Sequence, residues 1–181
     1  MTIEILNEEL LDEIEEMTSA FSGKVRGCAP RCISTVMKYI KLADQSAIDV
    51  VQKAALPLSG GILQNYDTCG ALLGGIMAIS IAFFDGRDEE DAPREEMMDL
   101  NRLCRKYYRA FEKEIGHARC FDIRQVGLGR CFDTADPVEY EKFVEAGGHD
   151  LCAKVIGKAA RLAAESIMAI HLAENEIQID K

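Results

Sequence analysis

The chain has 181 residues, 48% of them hydrophobic, which suffices for one core of ordinary size and does not demand a second domain. Its 21 Lys and Arg stand against 31 Asp and Glu, and the resulting charge of −10 repels nucleic acid and anionic lipid at long range, so neither is an expected partner. Seven cysteines, in a chain whose start Met-Thr-Ile-Glu-Ile lacks the features of a signal peptide, fit a cytoplasmic protein whose thiols serve as metal ligands or redox groups rather than structural disulfides.

Residues 1–22 read as an N-terminal amphipathic helix, with Asn7 as N-cap, Leu6 and Leu11 as a hydrophobic staple, and Leu10, Ile14 and Met17 as the apolar stripe. Glu8, Glu9, Asp12, Glu13, Glu15 and Glu16 then form a solvated acidic face. After the break at Gly23 to Gly27, Pro30 is suited to open a second helix reaching Ala43, with Ile33, Val36, Met37 and Ile40 buried. That start puts Cys32 in the first turn and Cys28 just before it. The run Cys-Ala-Pro-Arg-Cys has neither the two-residue gap of a thioredoxin motif nor a following His for haem attachment.

Asp44 predicts the cap of a third helix carrying Ile48, Val50, Val51 and Ala55, stopped before Pro57. Gly60-Gly61 reads as a turn. The stretch from Asp67 to Gly86 follows, with Thr68 to Phe84 free of charge, and predicts a buried central helix capped by Asp67 or Thr68 and ended by Gly86. Cys69 falls in its first turn, where unpaired amides favour a thiolate. Gly70, Gly74 and Ala78, with Ala71 and Gly75 beside them, leave a stripe without bulk against which other backbones can lie closely. The glycines and the short uncharged run argue against a membrane span.

Pro93 to Ile115 reads as a long helix stopped by Gly116, with Met97, Leu100, Cys104, Tyr107 and Phe111 on its apolar face; this makes Cys104 a core residue. Arg119-Cys120-Phe121-Asp122 recurs as Arg130-Cys131-Phe132-Asp133, and Val126 to Arg130 between the copies reads as a loop that leaves both cysteines accessible. Asp136, Pro137 and Glu139 open a short helix closed by Gly147-Gly148, and His149 or Asp150 caps the last one, with Cys152 in its first turn. No alternating β-branched run or hairpin signal occurs. The expected fold is an all-α, single-domain helical bundle around the Gly/Ala-rich central helix.

Cys32, Cys69 and Cys152 thus open separate helices and Cys120 follows the end of another, so the four can converge at one end of the bundle. Cys69-Gly70-Ala71-Leu72-Leu73-Gly74 resembles the Cys-Gly-Ala-x-x-Gly motif of a family of redox-active proteins named for its cysteine pattern, C_GCAxxG_C_C. In this resemblance, which covers residues 23–164, Cys32 corresponds to the first cysteine, Cys120 to the third and Cys152 to the fourth. Cys28 competes with Cys32, and Cys131 with Cys120. The resemblance implies redox activity without fixing a cofactor.

Two chemistries follow. Cys32, Cys69, Cys120 and Cys152, with Cys28 and Cys131 in reserve, can ligate an iron–sulfur cluster for electron transfer or redox sensing. Alternatively Cys69 attacks a disulfide as a thiolate and Cys32 or a neighbour resolves the mixed disulfide. A structural zinc site is a further alternative, because His117 and His149 each precede a cysteine by three residues. So is a helical interaction module with cysteines in its core. A redox partner is expected without being identified, and a homo-oligomer is left open. Nucleophile-elbow, zinc-protease and dinucleotide motifs are absent from the sequence.

Overall fold

Helix follows helix along the chain: α1 (Glu8–Ser19), α2 (Cys28–Ile40), α3 (Gln45–Ala55), α4 (Gly70–Phe83), α5 (Arg94–Ile115), α6 (Cys120–Leu128), α7 (Pro137–Glu145) and α8 (Gly148–Ile179). The computed structural model describes residues 8–20, 25–84 and 92–179, and for 171–179 the backbone alone. Asn7, Leu6 and Gly86, assigned above as cap, staple and stop, lie outside the described residues. Among those described, the one extended pairing is an isolated antiparallel bridge between Thr68 and Arg119.

Local chemistry sets several boundaries. The Asp44 carboxylate accepts from the Ala47 amide at 2.9 Å to start α3. Asp136 accepts from the Val138 and Glu139 amides at 2.9 and 3.0 Å to start α7, with Pro137 in the first turn. Gly116 ends α5 at φ +91°, a left-handed conformation that costs glycine little.

The core gathers around α4, which packs on α2, α8 and α5. Ala71, Leu72, Ala78 and Ile79 are buried there with Ile33, Val36 and Met37 of α2, Tyr107 and Phe111 of α5, and Ala159, Ala163 and Ile167 of α8. The absent side chains matter as much. A Cβ on Gly74 would stand 2.6 Å from the Ala29 carbonyl oxygen, and one on Gly75 would stand 2.0 Å from the Tyr107 hydroxyl. Each glycine costs roughly 0.5–1 kcal/mol inside a helix. Burial of an aromatic side chain such as Tyr107, at about 1.5–3 kcal/mol, offsets that cost.

Several expected faces and ends move. The stripe of α1 is Leu11, Ile14 and Thr18, while Met17 is exposed; Thr18 is tolerated inside because its hydroxyl donates to the Ile14 carbonyl. The acidic face is not wholly solvated, since Glu8, Asp12 and Glu15 meet Arg161 and Glu15 meets Lys158, joining α1 to α8. Val50 and Met97 are exposed rather than in the core. Val126 to Leu128 are the last turn of α6, not a loop, and Gly148 begins α8 rather than closing α7. The two Arg-Cys-Phe-Asp copies differ in structure: Cys120 opens α6, and Cys131 lies in the irregular segment after it.

Candidate functional site

Five of the seven cysteines lie at or near helix starts. Cys28 is the first residue of α2, two residues earlier than the Pro30 start predicts, and Cys32 falls in the second turn. Cys69 is the N-cap of α4, Cys120 the first residue of α6, and Cys152 the fifth of α8. All seven are free thiols.

The backbone brings Cys69 and Cys120 side by side. The Cys69 amide donates to the Ala118 carbonyl at 2.8 Å, the Cys120 amide donates to the Asp67 carbonyl at 2.7 Å, and the Phe121 amide donates to the Tyr66 carbonyl at 2.9 Å. This clasp surrounds the Thr68–Arg119 bridge. Cys28 reaches the same place from α2: its Sγ is 2.5 Å from where a Cβ on Gly70 would be. Gly70 is therefore bare because a thiol and the Leu58 carbonyl occupy the space at the start of α4.

Electrostatics reports the same neighbourhood. Burial pushes the Cys69 thiol well above its ordinary range, and the anionic forms of Cys28 and Cys120 push it further. The Ala71 and Leu72 amides face its sulfur, without a capping hydrogen bond, and favour the thiolate, but burial outweighs them. Burial also raises Cys120, to about 12, against the opposing charge of Arg124 and with Cys152, Cys28 and Cys131 adding to the rise. Burial raises Cys152 as well, with Arg124 opposing and Cys28 adding. Cys28 thus stands among Cys69, Cys120 and Cys152.

Cys32 is displaced from that group. It is fully buried, pushed up by burial and then by Cys28, and its Cβ lies against Gly74 in the α2–α4 seam. Cys104 is half-buried beside Ser80 on the far part of α4, in keeping with a core role. Cys131 lies near Arg124 and Asp133.

Sequence reasoning missed Arg124. It is 6% exposed, lies against the sulfurs of Cys131 and Cys152, and is flanked by the rings of Tyr66 at 5.1 Å and Phe143 at 4.5 Å. Burial would lower its pKa, but the facing Cys120, Cys152 and Cys131 reverse the direction. A readable signal existed: Arg124 follows Cys120 by one helical turn, which puts both on one face.

A cavity of about 750 Å³ opens beside these groups, with Cys28, Ser59, Arg124 and Cys152 in its wall. Its rim includes Gly60 of an unusual turn in which Gly60, Gly61, Ile62, Leu63 and Gln64 all have φ between +53° and +71°. The turn is held by the Tyr66 and Asp67 amides donating to the Gly60 and Gly61 carbonyls at 3.0 and 3.1 Å. The Tyr66 hydroxyl in turn accepts from the Thr134 amide at 2.7 Å.

Among the described residues no three His, Cys, Asp or Glu side chains form a group able to hold a metal ion. His117 is exposed, and His149 Nε2 lies 3.2 Å from the Tyr140 hydroxyl. No helix among the described residues is long and apolar enough to cross a membrane.

No match was found among curated proteins or among solved structures. A family model described as Putative redox-active protein (C_GCAxxG_C_C) matches residues 26–166, a span that holds all seven cysteines. The chain that sets these thiols around the start of α4 belongs to that family.

Proposed function

We propose that the protein carries out thiol–disulfide exchange, with Cys28 as the outer, attacking thiol and Cys69 as the inner, resolving one. The observation that carries this reading is the Cys28 sulfur set against Gly70, at the residue adjoining Cys69. Cys28 is half-buried and lines the cavity, whereas Cys69 is 6% exposed. An incoming disulfide therefore meets Cys28 first, and the enclosed Cys69 enters the exchange by attacking the bond formed at Cys28. Oxidation of the pair gives one disulfide, two protons and two electrons, and the electrons reduce a partner disulfide to two thiols. Cys120 and Cys152 are further thiols against the same pair and offer alternative resolving positions.

An iron–sulfur cluster or a zinc ion on Cys32, Cys69, Cys120 and Cys152 is the second reading. Its support is electrostatic: buried thiols that raise one another's pKa would be relieved by a cation. As placed, however, these thiols do not form a three-donor group, and Cys32 lies off in the α2–α4 seam. No step is assigned to a metal.

One preparation tests both. The protein is purified anaerobically, assayed for iron, sulfide and zinc, then oxidised with one equivalent of a small disulfide and mapped by peptide mass spectrometry. The expected product is a Cys28–Cys69 disulfide in a metal-free protein. Cys28→Ser and Cys69→Ser should each abolish it, and Cys104→Ser should leave it intact. Stoichiometric iron and sulfide lost in Cys69→Ser would replace exchange with cluster chemistry; a disulfide that excludes Cys28 would overturn the assignment of the attacking thiol.

A further inference from the structure

The cavity beside Cys28 has an electrostatic character opposite to the rest of the molecule. Its wall carries Arg26, Arg31 and Arg124 and no Asp or Glu, in a chain whose net charge is −10. Arg31 is engaged with its own chain, donating to the Thr18 and Ala20 carbonyls at 2.7 and 2.6 Å, so it contributes field. Arg124 differs: although buried, its Nε and Nη1 have no hydrogen-bond partner. The buried Ser59 hydroxyl, in the same wall, has none either.

Unpartnered donors in a buried site each cost about 1–3 kcal/mol, more when the group is charged. A guanidinium can only donate and a hydroxyl can also donate, so the group that completes this wall is an acceptor, and beside a cation whose Nε and Nη1 are left over after its contacts with the Cys131 and Cys152 thiols it is an anion. The Tyr66 and Phe143 rings hold the guanidinium in an apolar setting where that pairing is strong. The volume, about 750 Å³, is that of a small-molecule site, for which roughly 300–1,000 Å³ is usual.

We infer that the cavity binds a small carboxylate-bearing disulfide, with a carboxylate on Arg124 and Ser59 and a sulfur against Cys28. The inference rests on the exchange reading for its disulfide and on the cavity alone for its carboxylate. In the reaction the Cys28 thiol gives its proton to solvent and its sulfur attacks one sulfur of the ligand. The ligand S–S bond breaks, and the first half leaves as a thiolate that takes up a proton. The Cys69 sulfur then attacks Cys28, likewise after losing its proton, and the second half leaves as a thiol. Two protein thiols have been oxidised to one disulfide, and one ligand disulfide has been reduced to two thiols.

The test separates binding from exchange. Suberate, which spaces two carboxylates as 3,3′-dithiodipropionate does but has no S–S bond, is titrated into the reduced full-length protein by calorimetry. Saturable binding is expected, weakened about tenfold or more in Arg124→Gln, the loss of a charged hydrogen bond. Arg26→Gln, at an exposed position, is the second variant should Arg124→Gln not fold, and the same direction is expected for it. In parallel, 3,3′-dithiodipropionate should oxidise the protein about tenfold faster or more than the neutral bis(2-hydroxyethyl) disulfide, and Arg124→Gln should erase that preference. No suberate binding, or binding equal in wild type and both variants, overturns the anion site. Arginine-dependent suberate binding with neither disulfide reacting overturns the exchange reading and leaves the anion site standing.

Discussion

At the scale of single residues the site is governed by burial. Cys69 sits at the amide-rich start of α4, where a thiolate would be welcome on an exposed helix, yet the sulfur is shut in and its proton is held. Cys120 behaves alike, pushed up to about 12. In the unfolded chain both thiols ionise from roughly pH 8.5 upward. Between that value and the folded ones the native state binds more protons than the unfolded state, so stability falls as pH rises. The contribution is fully present below about pH 8.5 and is lost as pH climbs toward the folded values. Urea midpoints measured from neutral to alkaline pH should therefore decline, and Cys120→Ala should flatten the decline. A slope unchanged by that substitution would remove Cys120 as its source. The same chemistry assigns the work of meeting an oxidant to Cys28, the half-buried member of the group.

At the scale of elements, what the sequence made legible was local. Asp44, Asp136 and Gly116 act within a turn of themselves, and each stands where its residue type predicts. The start of α2 was not legible from Pro30, because proline is equally acceptable at the third helical position, where its missing N–H would have had no partner within the helix. The helix begins instead after Gly27 at φ +90°, and that two-residue difference carries Cys28 into the thiol group and leaves Cys32 in a seam. The turn from Gly60 to Gln64 was illegible for another reason. Left-handed conformations at Ile62, Leu63 and Gln64 are disfavoured locally, and it is a set of backbone bonds that imposes them: the Ile62, Leu63 and Gln64 amides donate to the Leu58, Pro57 and Ser59 carbonyls, and those of Tyr66 and Asp67 to Gly60 and Gly61. Ile62, β-branched and at φ +61°, bears the most strain. Ile62→Gly should raise stability by about 1 kcal/mol in chemical denaturation, the strain relieved exceeding the added freedom of the unfolded chain. A loss of similar size would mean that the Ile62 side chain contributes more through packing than its backbone costs.

Across the whole molecule, the all-α class and the buried central helix follow from periodicity, and the family follows from the cysteine motif on that helix. Convergence of the thiols was foreseeable in outline because so many cysteines open helices. The arginine among them and the acid-free cavity are properties of assembly. Arg124 comes from α6, Tyr66 from the left-handed turn and Phe143 from α7, so no stretch of sequence displays them together. The clasp between residues 66–69 and 118–121 has one more implication. It closes the long segment containing α5 into a loop whose two ends are fastened backbone to backbone, independent of side-chain identity. The Cys69, Cys120 and Phe121 amides can reach solvent only if both ends part at once. In native-state hydrogen–deuterium exchange these three should therefore share one opening free energy, well above that of the first turn of α5; three distinct values would mean that the two ends separate piecemeal.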